Sequence, residues 1–280
     1  MLILLSPAKS LDFTTPLPAD LAQAEPRQSL WPGASADLIA LLRQQDVAGI
    51  AALMALSDDL ARLNRDRYKA WRRKATAQNS RPAILAFDGD VYGGLEARSL
   101  RPDDVDWAQG HVLMLSGLYG LLEPLHALQP YRLEMGTRLA NPAGADLYAY
   151  WREKVSAELR KRCGGGRRKA EQPTRPVLNL ASQEYARVVD RRAVGAPFTD
   201  VVFEDRHEGR WKIISFNAKR ARGLLARHAI LNRIEQPAQL AGFSAEGWAL
   251  DGEVSTPEQL VFRRDLQGER PSAWFGRVAA

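Results

Sequence analysis

The sequence predicts an α/β fold, a mixed sheet with surrounding helices, and three observations carry that prediction. Short apolar runs, each stopped by glycine, proline or a small polar residue, read as buried strands. Longer segments between them repeat apolar residues at three- and four-residue spacing, the mark of amphipathic helices. One pair of runs, 201–203 and 212–216, flanks the turn residues Glu208-Gly209 as an antiparallel hairpin would, so the sheet is mixed.

Residues 2–6 are apolar, have no basic segment before them and stop at Ser6-Pro7, which reads as a first strand rather than a signal peptide. Lys9 then sits just past a strand end. After a proline-rich stretch, Leu38, Leu41 and Leu42 have helical spacing, followed by an apolar segment over 47–56 and a charged helix over 59–74 for which Ser57 or Asp58 is a natural N-cap. Residues 83–87 read as a second strand, broken by Asp88-Gly89-Asp90 and Gly93-Gly94, and 112–116 as a third, ending in Gly117-Leu118-Tyr119-Gly120. Leu147, Tyr150, Trp151, Val155 and Leu159 predict a helix over 146–162, stopped by Gly164-Gly165-Gly166 and followed by a polar, basic stretch to Pro176. A strand over 177–180 runs into Ala181-Ser182-Gln183-Glu184-Tyr185. The second strand of the hairpin feeds a basic helix starting near Asn217, and strands over 248–250 and 260–264 complete the pattern. With neither repeats nor a linker, residues 1–280 are expected to form a single domain that includes a helical hairpin over 47–74.

The 280 residues are 45% hydrophobic, enough for a full core without a covalent staple. The single cysteine, Cys163, excludes an intrachain disulfide and suits a reducing compartment, so a cytoplasmic location is expected. No later apolar stretch approaches the roughly 20 residues that span a bilayer. The net charge of +6 is modest but unevenly spread. Residues 62–81 carry eight Lys/Arg against one acid, 160–169 six against none, and 210–233 seven against none. A chain that separates charge in this way can present a basic face to a polyanion, although each run is also compatible with a solvated helix face.

Several chemistries are excluded. His111, His126, His207 and His228 lie far apart and the cysteine has no partner, so there is no zinc motif. There is no G-x-S-x-G, no P-loop and no G-x-G-x-x-G after a strand, and neither a metal nor a cofactor is expected. Asp88 and Asp90 stand two residues apart at a strand end, where they could hold magnesium or form an ordinary turn; Gly89, Gly93 and Gly94 could admit a phosphate or serve tight turning. In an extended 131–135 segment, Tyr131, Leu133 and Met135 share one side, leaving Arg132 and Glu134 to pair on the other. The basic helix holds Lys219, Arg220, Arg222 and Arg227, with Lys219, Arg222 and Arg227 expected on one face. In the 47–74 hairpin, Ser57, Asp58, Leu60, Asn64 and Arg65 are the candidate contacts, but the Ser57-Asp58-Asp59 connection lacks the glycines that let a phosphate approach backbone amides.

The ordered stretches Ser6-Pro7-Ala8-Lys9, Gly89-Asp90-Val91-Tyr92, Leu115-Ser116-Gly117-Leu118-Tyr119-Gly120, Pro130-Tyr131-Arg132-Leu133-Glu134-Met135-Gly136, Asn179-Leu180-Ala181-Ser182 with Glu184-Tyr185, and Ala218-Lys219-Arg220-Ala221-Arg222-Gly223 resemble the YaaA (UPF0246) family over nearly the whole chain. The stretch 164–176 and the tail beyond Arg264 depart from it. The resemblance implies an unusual α/β fold with a helix-hairpin-helix element, protection of bacteria during peroxide stress, restraint of intracellular iron, and DNA binding through a positively charged cleft. With so few histidines and cysteines, any effect on iron is expected to be indirect. The reading of the residues joins these expectations in a cleft walled by Lys219, Arg220, Arg222 and Arg227, reached by Lys9 and Arg132 from strand-end loops. DNA is the expected partner, with no membrane and no stable protein partner. The competing class is an enzyme acting on nucleic acid or a nucleotide, using Lys9 with Asp88, Asp90 or Glu134.

Overall fold

Leu2, Ile3, Leu4 and Leu5 are buried on both faces, as a strand must be when parallel neighbours flank it and helices cover it. This strand, β1 (Leu2–Leu5), is central in a computed structural model that describes residues 1–164 and 174–265. The chain continues through helices α1 (Pro32–Arg43), α2 (Val47–Met54), α3 (Asp58–Ala70), α4 (Asp90–Leu95) and α5 (Pro102–His111). Strands β2 (Val112–Ser116) and β3 (Gly120–Leu122) follow, then α6 (Leu147–Arg162), β4 (Val177–Asn179) and the short α7 (Gln183–Ala186). The last elements are β5 (Phe198–His207), β6 (Arg210–Lys212), α8 (Ser215–Leu231), β7 (Ala249–Leu250) and β8 (Gln259–Arg264).

The sheet runs β7-β8-β5-β4-β1-β2-β3, with β6 paired to β5. Its five middle strands, β8 to β2, are parallel, with Ile3 level with both Val112 and Leu178. The antiparallel partners β3, β6 and β7 make the sheet mixed. The loop leaving β1 leads towards β2 and the loop leaving β4 leads the other way, towards β5. Between the carboxyl ends of β1 and β4 lies the kind of divergence at which open α/β sheets hold ligands.

The strand expected over 83–87 is instead a helical turn, Ala83–Ala86, with only Phe87–Asp88 pairing to Ser10–Leu11. All of Ala83, Ile84, Leu85 and Ala86 are buried, and an apolar run with no polar face has no periodicity to separate strand from helix. The charged helix ends at Ala70, earlier than expected, because Trp71 turns into the core and its indole N–H donates to the Tyr119 hydroxyl at 3.0 Å. The hairpin strand expected over 212–216 ends at Lys212, since Ser215 already begins α8. Cys163 caps α6 and is fully buried. The basic residues 167–169, part of the 164–176 departure and the tail beyond 265 lie outside the described residues.

Gly89 is the N-cap of α4, while Gly93 and Gly94 are helical residues and not part of a turn. Gly93 and Gly94 are inside α4, and Gly94 lies against α8 so closely that a Cβ there would meet the Arg220 carbonyl oxygen at 2.2 Å. Gly223 answers from α8, where a Cβ would come within 1.8 Å of the Val91 carbonyl oxygen. Neither backbone can yield without separating the two helices. Gly223→Ala is therefore expected to destabilise the protein by about 3 kcal/mol or more, beyond the usual overpacking cost. Gly110→Ala, near the end of α5 with nothing within 4 Å, is expected to be neutral or stabilising by about 0.5–1 kcal/mol; urea unfolding of both variants measures the contrast.

Candidate functional site

The crevice between β1 and β4 is closed at its floor by two serines. The Ser6 hydroxyl accepts the Ser182 backbone N–H at 2.8 Å and donates to the Ser182 hydroxyl at 3.3 Å, tying together the loops that leave the two strands. Tyr92, on α4, donates its hydroxyl to the Ser6 carbonyl at 2.9 Å. Because Gly94 allows α4 to seat against α8, the glycine contact also sets the position of Tyr92 over the crevice.

Lys9 extends from the loop after β1 and meets Glu134 at 3.1 Å. Glu134 is shared, since its other oxygen takes Arg132 at 3.1 Å. The alternation along this segment is the one the sequence predicts: Tyr131, Leu133 and Met135 are buried while Arg132 and Glu134 reach the crevice side. Tyr131 anchors the segment through a 2.6 Å hydrogen bond with Ser116 at the end of β2. Burial lifts its hydroxyl above the usual phenol range, and does the same for Tyr92 and Tyr185, so these rings are neutral walls. Glu184, beyond Ser182, accepts the Gly136 backbone N–H at 2.9 Å and fastens the far end of the segment.

Helix α3 approaches from the opposite side. Tyr68 donates to the Arg132 carbonyl. The neighbouring Arg67 is depressed chiefly by burial, opposed by Tyr68 and reinforced by the like charge of Arg132. The Nε atoms of Arg65 and Arg132 are buried with no hydrogen-bond partner among the described residues. Helices α2 and α3 pack as a hairpin, joined through Ala55 in the left-handed region and Ser57, whose hydroxyl caps α3 by accepting the Leu60 N–H at 3.5 Å. Asp58 lies with Asp59 in the first turn, where both carboxylates meet the positive end of the helix. Asn64 is fully buried, donating to the Leu60 carbonyl and accepting from Arg67, so it holds α3 together from within. Leu60 is exposed on the outer surface.

The basic helix does not present one cationic face. By the 3.6-residue period Arg222 and Arg227 lie about 140° apart, and the contacts show the divergence. Arg220 is held by Glu246 through three hydrogen bonds of 2.6–3.1 Å, which raise its pKa. Arg227 donates to the carbonyls of Leu95 and Glu96 at 3.1 and 3.2 Å, satisfying the end of α4. Lys219 is exposed. Arg222 turns towards the ends of β4, where burial alone depresses its pKa and its Nε has no hydrogen-bond partner among the described residues. The expected single wall of Lys219, Arg220, Arg222 and Arg227 is thus divided by the geometry of the helix itself.

Asp88 is exposed on the two-residue ladder with Ser10, whereas Asp90 opens α4 and is near enough to Arg220 to raise its pKa after the larger effect of Glu246. No group of three or more histidine, cysteine, aspartate or glutamate side chains is arranged to hold a metal among the described residues. No helix among them is long and apolar enough to cross a membrane. The roles of Arg67, Tyr92 and Tyr185 in the crevice escaped the sequence reading. Arg67 lies within a run of charges on one helix, where a solvated face is the simpler inference, and Tyr92 and Tyr185 follow short apolar segments where a core role is.

The family model described as peroxide stress protein YaaA matches residues 1–254. A UPF0246 protein of Leptothrix cholodnii is 55% identical over 264 residues, covering 94% of this chain and 98% of its own. One from Methylibium petroleiphilum is 53% identical over 266 residues, 95% of this chain and 100% of its own. One from Bordetella petrii is 50% identical over 264 residues, 94% of this chain and 99% of its own.

The serine joint gives a direct test of how the crevice is held. Ser6→Ala leaves the Ser182 N–H without its acceptor and is expected to cost about 1–3 kcal/mol. Ser182→Ala keeps that N–H bonded to Ser6 and should cost less. Chemical denaturation of the two variants side by side measures the difference, and equal losses would show that the N–H bond is not what holds the loops together.

Proposed function

We propose that this chain, which belongs to the YaaA family of peroxide stress proteins, binds DNA by its backbone through the crevice at the strand ends. It thereby shields DNA from oxidative damage during peroxide stress and helps, indirectly, to limit intracellular iron. The observation that carries the reading is the excess of cation over acid in that crevice. Lys9 and Arg132 share one carboxylate, Glu134; Arg67 adds charge beside Arg132; and Arg222, near the end of β4, has a buried Nε with no hydrogen-bond partner among the described residues. Phosphate oxygens are suited to such donors, and neutralising them releases counterions.

Recognition is of backbone and shape rather than base sequence. Helix α8 offers few side chains for reading bases, because Ala218, Ala221, Gly223, Leu225 and Ala226 are buried and Arg220 and Arg227 are engaged within the fold. The α2–α3 hairpin contributes through side chains such as Arg65 and not through the amides at the start of α3, where Ser57, Asp58 and Asp59 already answer the helix end. The indirect character of the iron effect follows from a composition of four histidines and one cysteine.

Binding to fluorescent duplex, branched and single-stranded DNA across a salt series tests this, with and without magnesium. Affinity is expected to fall steeply with salt and to vary little with sequence. Arg222→Glu should weaken all DNA binding by roughly tenfold or more, as expected for loss of a charged hydrogen bond. Glu134→Gln, which releases Lys9 and Arg132, should tighten binding and steepen the logarithmic salt dependence by about 1 to 2. Unchanged affinity in both variants would remove the crevice from the interface; magnesium-dependent cleavage would replace the reading with catalysis by Lys9, Asp88, Asp90 or Glu134.

A further inference from the structure

Beside the crevice, beneath α8, is a cavity of about 420 Å³, within the range of small-molecule sites. Its polar lining comes from Asn179, Gln183, Arg187, Arg191, Asp200, Arg222 and Gln259. The charges are unequal in availability. Asp200 is held by Arg191 at 2.6 and 2.9 Å and by the Asn179 amide at 2.8 Å, so its carboxylate stays ionised despite burial, which pushes the other way. Arg191 and Asp200 therefore cancel. Arg187 is exposed and rests its guanidinium over the Tyr148 ring at 4.7 Å, leaving its N–H edge to the surroundings. Arg222 brings a second positive charge, with a buried Nε that no group among the described residues accepts from.

The lining thus offers two uncancelled guanidinium groups on separate elements, Arg187 just after α7 and Arg222 on α8, together with the Gln183 amide. Two positive charges match a dianion better than a single carboxylate, and a planar guanidinium suits phosphate oxygens. An apolar part of the wall comes from Ala186, Val189, Val202 and Ile213, the last 61% exposed. That combination fits a phosphate carrying a small organic body.

We infer that this cavity is a binding site for a phosphomonoester of nucleotide size, with Arg222 and Arg187 holding the phosphate and Val202 and Ile213 facing the organic part. The shared chemistry has two sources, a free nucleotide or the 5′-phosphate at the end of a DNA strand. An internal DNA phosphate is a monoanionic diester joined on both sides, and it matches neither the charge nor the enclosure. The inference goes beyond backbone binding at the strand ends; it shares Arg222 with that reading but not Arg187, so the mononucleotide titration and Arg187→Gln separate the two.

The test is calorimetric titration of the full chain with deoxyadenosine 5′-monophosphate, with deoxyadenosine, and with a short single strand bearing either a 5′-phosphate or a 5′-hydroxyl. The nucleotide is expected to bind and the nucleoside not. Arg222→Gln should weaken nucleotide binding roughly ten- to hundredfold, the loss of a charged hydrogen bond in a sheltered site, without lowering the thermal midpoint of the ligand-free protein. Arg187→Gln, at a more exposed position, provides a second reading should Arg222→Gln fail to fold. Competition by the phosphorylated strand and not by its hydroxyl counterpart would identify strand ends as the source; no competition would identify a free phosphate ester. Failure of the nucleotide to bind, equal binding of nucleotide and nucleoside, or insensitivity to both substitutions overturns the inference, and none of these outcomes bears on the salt-dependent binding of duplex DNA.

Discussion

The contact of Gly94 with Gly223 governs where the cationic side chains of α8 can go. Two helices whose backbones touch have no freedom to rotate against each other, so every residue of α8 has a fixed bearing once Gly223 is seated against Val91. That bearing sends Arg220 to Glu246, Arg227 to the end of α4 and Arg222 towards β4. It also seats Tyr92 over Ser6, and through Ser6 it reaches the joint with Ser182. A single steric requirement therefore couples the charge distribution of one helix to the floor of the crevice.

The strands were legible where burial on two faces leaves a short apolar run with a polar stop, as in residues 2–5, 112–116 and 177–179. The 131–135 segment was legible for a related reason, since alternation in an extended chain survives without a regular hydrogen-bonded neighbour. Residues 83–86 were misread because full burial erases periodicity. Helix α4 was hidden by Gly93 and Gly94, which in sequence resemble a turn and in space permit a helix crossing. The sequence could list the cations of α8 but not divide them among carboxylate, carbonyl and cavity, because their partners are distant in the chain.

A basic run is consequently a poor measure of a basic surface. Between residues 210 and 233, Arg220 forms an ion pair, Arg227 satisfies backbone carbonyls, and Arg233 is bound to the buried Asp104 at 2.8 Å. These arginines hold the fold together. The charge left at the strand ends rests on fewer groups: Lys9 and Arg132, both moderated by the single carboxylate of Glu134, and Arg222 in the cavity near the end of β4.

The placement of Cys163 has a consequence for durability. Reaction of a thiol with an oxidant requires access and thiolate character, and a cysteine enclosed by the core has little of the first. Cys163, Met114 and Met135 are fully buried and Met1 is nearly so; Met54, partly covered, has its sulfur 3.9 Å from the Tyr68 hydroxyl oxygen. Sulfur, the element most readily altered by hydroperoxides, is thus kept largely inside. A member of a peroxide stress family built this way can keep its shape in the same chemical conditions that call for its presence.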